Sequence, residues 1–239
     1  MVCPLQDWLP DEIMQLVAQE NNLSETAFFV PDGDGFHIRW FTPVTEVPLC
    51  GHATLATGHV LYRHLGCTLP EIHFNCKSGK LSVHPDGDWL TLNFPADQLQ
   101  PVQVPEALSG GLRGSPAETY RGAENYLAIF ENPEEVMNLK PDFSILKQLK
   151  SLGVIVSARG TDVDFVSRYF APGAGIDEDP VTGSAHTSLV PYWASRLQKT
   201  VLTARQVSAR QGFLNCRMLG DRVEMAGKAV TYLEGAITI

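Results

Sequence analysis

A duplication inside the chain constrains its fold more than any single motif does. The segment RWFTPVTEVPLCGHATLA, Arg39 to Ala56, aligns without a gap on RYFAPGAGIDEDPVTGSA, Arg168 to Ala185. Arg39, Phe41, Pro43 and Ala56 meet Arg168, Phe170, Pro172 and Ala185, while Trp40 meets Tyr169 and Val47 meets Ile176. A second match follows in the same order: GKLSVHPDGDWLTL, Gly79 to Leu92, aligns on GFLNCRMLGDRVEM, Gly212 to Met225. The two offsets differ by about one helical turn, which a small insertion absorbs. Two ordered matches imply two copies of one folding unit, facing each other about a pseudo-twofold axis.

The local pattern agrees with a doubled unit. Alternating strands read FHIRWFT, KLSVH and WLTLNF in the first half, and DFVSRYF, FLNCRM and RVEMA in the second, with a last strand near AITI. DGD and LGD supply the hairpin turns. Amphipathic helices are expected over DEIMQLVAQE, starting at Pro10 or Asp11, and over FSILKQLKSL, starting at Asp142. In each half a helix of small and apolar residues follows the Arg-aromatic-Phe-x-Pro strand. The proline-rich, polar run from Pro95 to Glu106 reads as the linker. The expected fold class is α+β, with two pseudo-symmetric halves at 1–96 and 97–228, the C-terminal strand at about 229–239 returning to the first half.

Composition narrows the function classes. A chain of 239 residues with 44% hydrophobic and 19% charged content has the make-up of an ordinary globular protein. No apolar run has the length of a membrane span and no secretory signal opens the sequence. A net charge of -9 with no Lys/Arg cluster argues against nucleic acid as a partner. The five cysteines are odd in number, scattered and never spaced CxxC, a pattern of reduced thiols in the cytoplasm. The seven histidines are equally dispersed, and His52, His59 and His64 on one helical segment read as surface or packing residues. No metal is expected.

The stretch IDEDPVTGSAH, Ile176 to His186, crowds acids before a proline and then a run of small residues. Asp179 suits an N-cap and Pro180 a first helical residue, so the helix is expected to begin there. Its free N–H groups make a site for an anion, and Thr182, Gly183, Ser184 and Ala185 leave room for one. In the other copy Cys50, Gly51, His52 and Ala53 occupy the corresponding helix start, with Cys50 aligned opposite Asp179. Taken singly, each residue has a plainer reading. Asp179 is then a cap, Asp177 and Glu178 solvated first-turn acids, His52 a bonded helix residue, Cys50 a small buried hydrophobe and Ser184 a packing residue. Their shared position at paired helix starts is what points to chemistry.

NNLSETAFFV (Asn21 to Val30), RWFTPVTEVPLCGHATLA and RYFAPGAGIDEDPVTGSAH together resemble the phenazine-biosynthesis isomerase (PhzF-like) family. The resemblance implies a fold similar to diaminopimelate epimerase: each half a barrel-like, mostly antiparallel sheet around a central helix. It also implies cofactor-free isomerisation, with a proton moved between carbons of a small, unsaturated, carboxylated substrate. Glu25, within LSETAF, matches the family's general acid/base, and burial is expected to raise its pKa toward the working pH. His52 and Asp179 match residues that hold and polarise the substrate and assist proton return. Gly51 and Ser184 match substrate-contacting positions, and Ala53 and Gly183 complete the expected binding set. Family members begin with a strand and a GNPA-like turn. Met1 stands where that lead-in ends, which implies an open sheet edge beside the cleft. A homodimer is a further expectation of the resemblance.

Other functions compete. A non-catalytic binding protein could keep the same cleft. A racemase of this fold needs a thiol on each face of the carbon, and only Cys50 is offered. A Cys50–His52 hydrolase is disfavoured because residues two apart on a helix do not face each other.

Overall fold

Strand alternation sets the architecture. In the second strand Ala27 and Phe29 face the main core, while Phe28 packs with Met14, Ala18 and Phe41 on the opposite side. A computed structural model describes all 239 residues. The first half runs β1 (Val2–Pro4), α1 (Asp11–Asn21), β2 (Thr26–Asp32), β3 (Gly35–Phe41), β4 (Glu46–Val47), α2 (Gly51–Arg63), β5 (Ile72–Cys76), β6 (Gly79–Asp86) and β7 (Trp89–Pro95). The second runs β8 (Gln100–Pro101), α3 (Glu106–Leu112), β9 (Glu118–Arg121), β10 (Asn125–Ile129), α4 (Pro133–Asn138), α5 (Phe143–Leu146), β11 (Gly153–Arg159), β12 (Phe165–Ala171), β13 (Ile176–Asp179), α6 (His186–Leu197), β14 (Val201–Gln206), β15 (Gly212–Leu219) and β16 (Arg222–Gly227).

These strands form one large curved sheet that does not close, in the order β1-β2-β3-β5-β6-β7-β16-β15-β14-β12-β11-β10-β9-β8. β4 pairs with β3 and β13 with β12. The halves meet where β7 runs antiparallel to β16, from Pro95 opposite Arg222 to Leu90 opposite Gly227. Each half wraps a central helix. Gly58 lets α2 approach β6, since a methyl there would lie 2.7 Å from Val83 Cγ1. On α6, the Trp193 ring stacks on Phe165 at 5.9 Å and its Nε1 donates to Ser157 Oγ at 2.9 Å, satisfying a buried polar atom. The largest apolar cluster joins Phe29, Trp40 and Leu92 to Leu189, Leu202 and Met225, and so spans both halves.

The duplication is visible in matching ion pairs. Arg39 Nε and Nη2 donate to Glu46 at 2.9 Å each, and Arg168 Nε and Nη2 donate to Glu178 at 2.8 and 2.9 Å. Both guanidinium groups also lie over a phenylalanine ring, Phe41 in one copy and Phe170 in the other. Glu178 is therefore no solvated first-turn acid. Its partner Arg168 donates in addition to the Leu139 carbonyl at 2.9 Å, past the end of α4.

Strand pairing relocates the insertion. Trp40 sits opposite Val47, whereas Tyr169 sits opposite Asp179 across an irregular register, so the second copy is three residues longer here. Val47 thus corresponds to Asp179, Gly51 to Gly183, and Cys50 to Thr182 rather than to Asp179. Side chains confirm this: Thr54 Oγ1 donates to the Cys50 carbonyl at 2.5 Å, and His186 Nδ1 meets the Thr182 carbonyl at 2.8 Å.

Three local expectations need correction. Asp179 ends β13 and caps nothing, and α6 starts at His186 after a tight turn through Gly183–Ala185. The cause is Gln206, whose Oε1 accepts from the Thr182 N–H at 2.7 Å and whose Nε2 donates to the Asp179 carbonyl at 2.7 Å. That holds 179–182 out of the helix. The helix after Asp142 is one turn, Phe143–Leu146, capped by the Asp142 carboxylate. Residues 228–239 form no strand. Thr231 touches the end of α2, its hydroxyl 2.9 Å from His59 Nε2 and 2.7 Å from His64 Nε2, and residues 231–239 are exposed. β7 is already paired on both sides, by β6 and β16.

Candidate active site

The tip of α2 touches the tight turn that leads into α6. A Cβ on Gly51 would lie 2.5 Å from Gly183 Cα, and one on Gly183 would lie 2.7 Å from Gly51 Cα, so only glycine permits the approach. The backbone nitrogens of His52 and Ser184 both lie at this contact, whereas the first N–H groups of α6 itself, from His186 to Ser188, donate to the Gly183–Ala185 carbonyls. Cys50 caps α2 in an extended conformation, with φ -141° and ψ 113°, and Thr54 and Thr57 bond back to the Cys50 and Ala53 carbonyls.

Glu25 reaches the junction from the residue before β2, where Thr26 is fully buried. Its Oε2 lies 2.9 Å from His52 Nε2, and the side chain is only 11% exposed. The contact is close but poorly aligned, leaving Oε2 without a well-formed hydrogen bond. Ser24 Oγ stands 3.4 Å from the same ring nitrogen. On the opposite side of the imidazole, Asp179 Oδ2 is 3.7 Å from Nδ1 and accepts from Thr182 Oγ1 at 2.6 Å. A single imidazole thus separates two buried carboxylates.

Their environments drive these acids in opposite directions. Burial alone would push Glu25 up, but the His52 imidazole beside it, with help from Ser24 and Cys50, holds it below the usual carboxylate range. That corrects the expectation that burial raises it. Asp179 is raised, by burial first and then by the Glu25 charge, against the pull of His52. For His52 burial opposes protonation and the neighbouring Glu25 carboxylate favours it, so its pKa stands above the ordinary value. Burial pushes the Cys50 thiol up to about 11. At neutral pH this is a carboxylate base, an imidazolium and a carboxyl group that gains a proton more readily than usual.

The cluster opens into a cavity of about 240 Å³. Glu25, Cys50, Gly51, His52, Asp179 and Ser184 all line it. No lysine or arginine does, so a bound anion here would meet His52 and the backbone at the Gly51–Gly183 contact, with Arg210 in the adjoining cavity. Ala53 faces a neighbouring cavity that shares Glu25, His52 and Asp179, and Gly183 serves through its backbone contact with Gly51. Three features of the site carry no obvious sequence signal. Tyr169 walls the cavity and donates to Asn125 Oδ1 at 2.9 Å. Asp97 accepts from Ser188 Oγ at 2.7 Å and from the Ala123 N–H, tying the linker to α6. Cys50 Sγ lies 3.9 Å from both ring nitrogens of His52, which overturns the geometric argument against their meeting. Cys50 precedes the helix, and its extended backbone turns the sulfur toward the ring.

Comparison with known proteins identifies one family. The profile of the family described as phenazine biosynthesis-like protein, PhzC-PhzF, matches residues 1–235. The chain is 49% identical over 236 residues to an uncharacterized isomerase of Pseudomonas aeruginosa, covering 99% of this chain and 91% of that protein. The crystal structure of a PhzF-family phenazine biosynthesis protein from Enterococcus faecalis superposes with a TM-score of 0.90 at 43% identity, covering 100% of this chain and 92% of the other. A probable proline racemase from Agrobacterium radiobacter, at 10% identity and a TM-score of 0.65, shares the fold alone. This chain belongs to the phenazine biosynthesis-like, PhzC-PhzF family.

Proposed function

We propose that the protein is a cofactor-independent isomerase that moves a proton between two carbons of a small, unsaturated, carboxylate-bearing metabolite. The observation that carries this reading is Glu25 Oε2 at 2.9 Å from His52 Nε2, with Asp179 across the ring, where the tip of α2 meets the turn before α6. The substrate carboxylate sits on the backbone N–H groups at this contact, with Gly51, Gly183 and Ser184 leaving room. The Glu25 carboxylate takes a proton from a carbon next to the unsaturated system. The electron pair left behind enters that system, and the charge that develops is met by the N–H groups and the His52 cation. The conjugate carboxylic acid of Glu25 then returns its proton at a second carbon, with Asp179 assisting. General acid–base transfer of this kind contributes about 10²–10⁴-fold.

A two-thiol racemase is disfavoured, because the position corresponding to Cys50 is Thr182 and the Cys50 thiol is held neutral. A panel of cyclic and acyclic unsaturated acids in heavy water tests the proposal. Deuterium entering a carbon-bound position supports it. Ligand-dependent thermal stabilisation with no exchange in any compound favours a binding protein instead.

A further inference from the structure

We propose that Glu25, Cys50 and His52 also form a binding site for a thiophilic divalent cation, Zn²⁺ foremost. Each offers one donor atom, and the three atoms lie within 4.8 Å of one another. The His52 Nε2 to Glu25 Oε2 separation is 2.9 Å, and Cys50 Sγ is 3.9 Å from the ring nitrogens. A tetrahedral zinc ion needs roughly 3.3 Å between nitrogen and oxygen donors and roughly 3.6 Å between sulfur and nitrogen. The nitrogen and oxygen need to part by about half an ångström. The sulfur, equidistant from both ring nitrogens and so off the Nε2 lone-pair axis, needs a Cys50 side-chain rotation that carries it about 2 Å toward the metal.

Two further features suit a metal. Glu25 Oε2 is buried with no well-formed hydrogen bond, so a cation there would satisfy it. With Nε2 on the metal, the other ring nitrogen faces the Asp179 carboxylate at 3.7 Å, and Thr182 Oγ1 fixes that carboxylate. A carboxylate behind a ligating imidazole orients the ring and strengthens it as a donor. The fourth coordination position opens into the cavity, to water or to a carboxylate ligand. One sulfur, one nitrogen and one carboxylate oxygen favour Zn²⁺ over Mg²⁺ and Ca²⁺, which require oxygen shells. The three ligands are scattered at positions 25, 50 and 52, so no metal-binding spacing announces them. On the acid–base reading given above, the bound cation occupies the base and silences proton transfer.

Cobalt titration of the whole protein tests the site without reference to activity. One equivalent of Co²⁺ should give a near-ultraviolet thiolate-to-cobalt band that one equivalent of Zn²⁺ abolishes. The band should vanish in Cys50→Ser, persist in Cys67→Ser and Cys76→Ser, and Co²⁺ affinity should fall at least about tenfold in His52→Asn. Circular dichroism establishes that each variant is folded, and the His52 variant decides the matter if Cys50→Ser is not. No band at stoichiometric Co²⁺, or a band unchanged in Cys50→Ser, overturns the proposal. Zinc should also stop substrate deuteration and EDTA restore it. Undiminished deuteration by zinc-loaded protein would leave the metal site standing and remove Glu25 from the proton-transfer step.

Discussion

Gly51 and Gly183 meet backbone to backbone, the Cα of each lying where the other's side chain would be. This contact places the N-terminus of α2 and the turn before α6 against one cavity, and it arises from two copies of one unit folded face to face. A methyl group at either position collides with main chain, which cannot step aside as a flexible side chain can.

Gly51→Ala is therefore expected to destabilise the protein by about 1–3 kcal/mol or more, and to lower isomerase activity through the displaced helix tip. Gly110, exposed on α3, is the control, because a Cβ there meets only Ile145 Cγ2 at 3.9 Å. Gly110→Ala should be neutral or stabilising by up to about 1 kcal/mol. Urea midpoints of the two variants decide it.

The Arg168–Glu178 pair is 11% and 23% exposed, and Arg168 also donates to the Val136 and Leu139 carbonyls. Removing one partner leaves a charge largely out of water. Glu178→Gln should cost on the order of 3 kcal/mol, while Arg168→Met combined with Glu178→Leu should recover a large part of the loss. Chemical denaturation of both variants reads the two effects.

His186 is fully buried, and burial pushes its imidazole down to about 4, against the Thr182 carbonyl that would raise it. An unfolded histidine titrates near 6.5. Between those values the unfolded chain binds a proton that the folded one refuses, so stability rises with pH there. His186 therefore destabilises nothing above about pH 6.5, and its penalty grows as pH falls toward 4, to on the order of 3 kcal/mol. Folded His186→Gln protein should show a flatter loss of stability across that window. An unchanged slope would contradict the assignment.

Cys50→Ser should keep isomerase activity within about tenfold, since a thiol with a pKa near 11 supplies little thiolate at neutral pH. A fall of several orders of magnitude in deuterium exchange would restore a thiol mechanism.

The doubled unit was legible because the Arg-aromatic-Phe-x-Pro strands carry side chains that make the same ion pair and ring contact in each copy. The register between copies was not. A gapless alignment opposes Cys50 to Asp179, and only strand pairing shows that three extra residues are taken up at the irregularity after Tyr169. The start of α6 is hidden from the sequence for a different reason. Asp179-Pro180 is a sound local helix signal, and Gln206, remote in sequence, overrides it. Local propensity cannot report a hydrogen bond made from another strand. The charge state of Glu25 was hidden in the same way, since its sign depends on the distance to His52.

Solvent-deuterium incorporation by Glu25→Gln, followed on a substrate that the wild-type protein turns over, tests the central claim most directly. Circular dichroism and a melting temperature near wild type establish that the fold survives. The Glu25 account predicts loss of exchange by at least about 10²-fold, with the carboxylate ligand still bound. Exchange at the wild-type rate in the folded variant would contradict it.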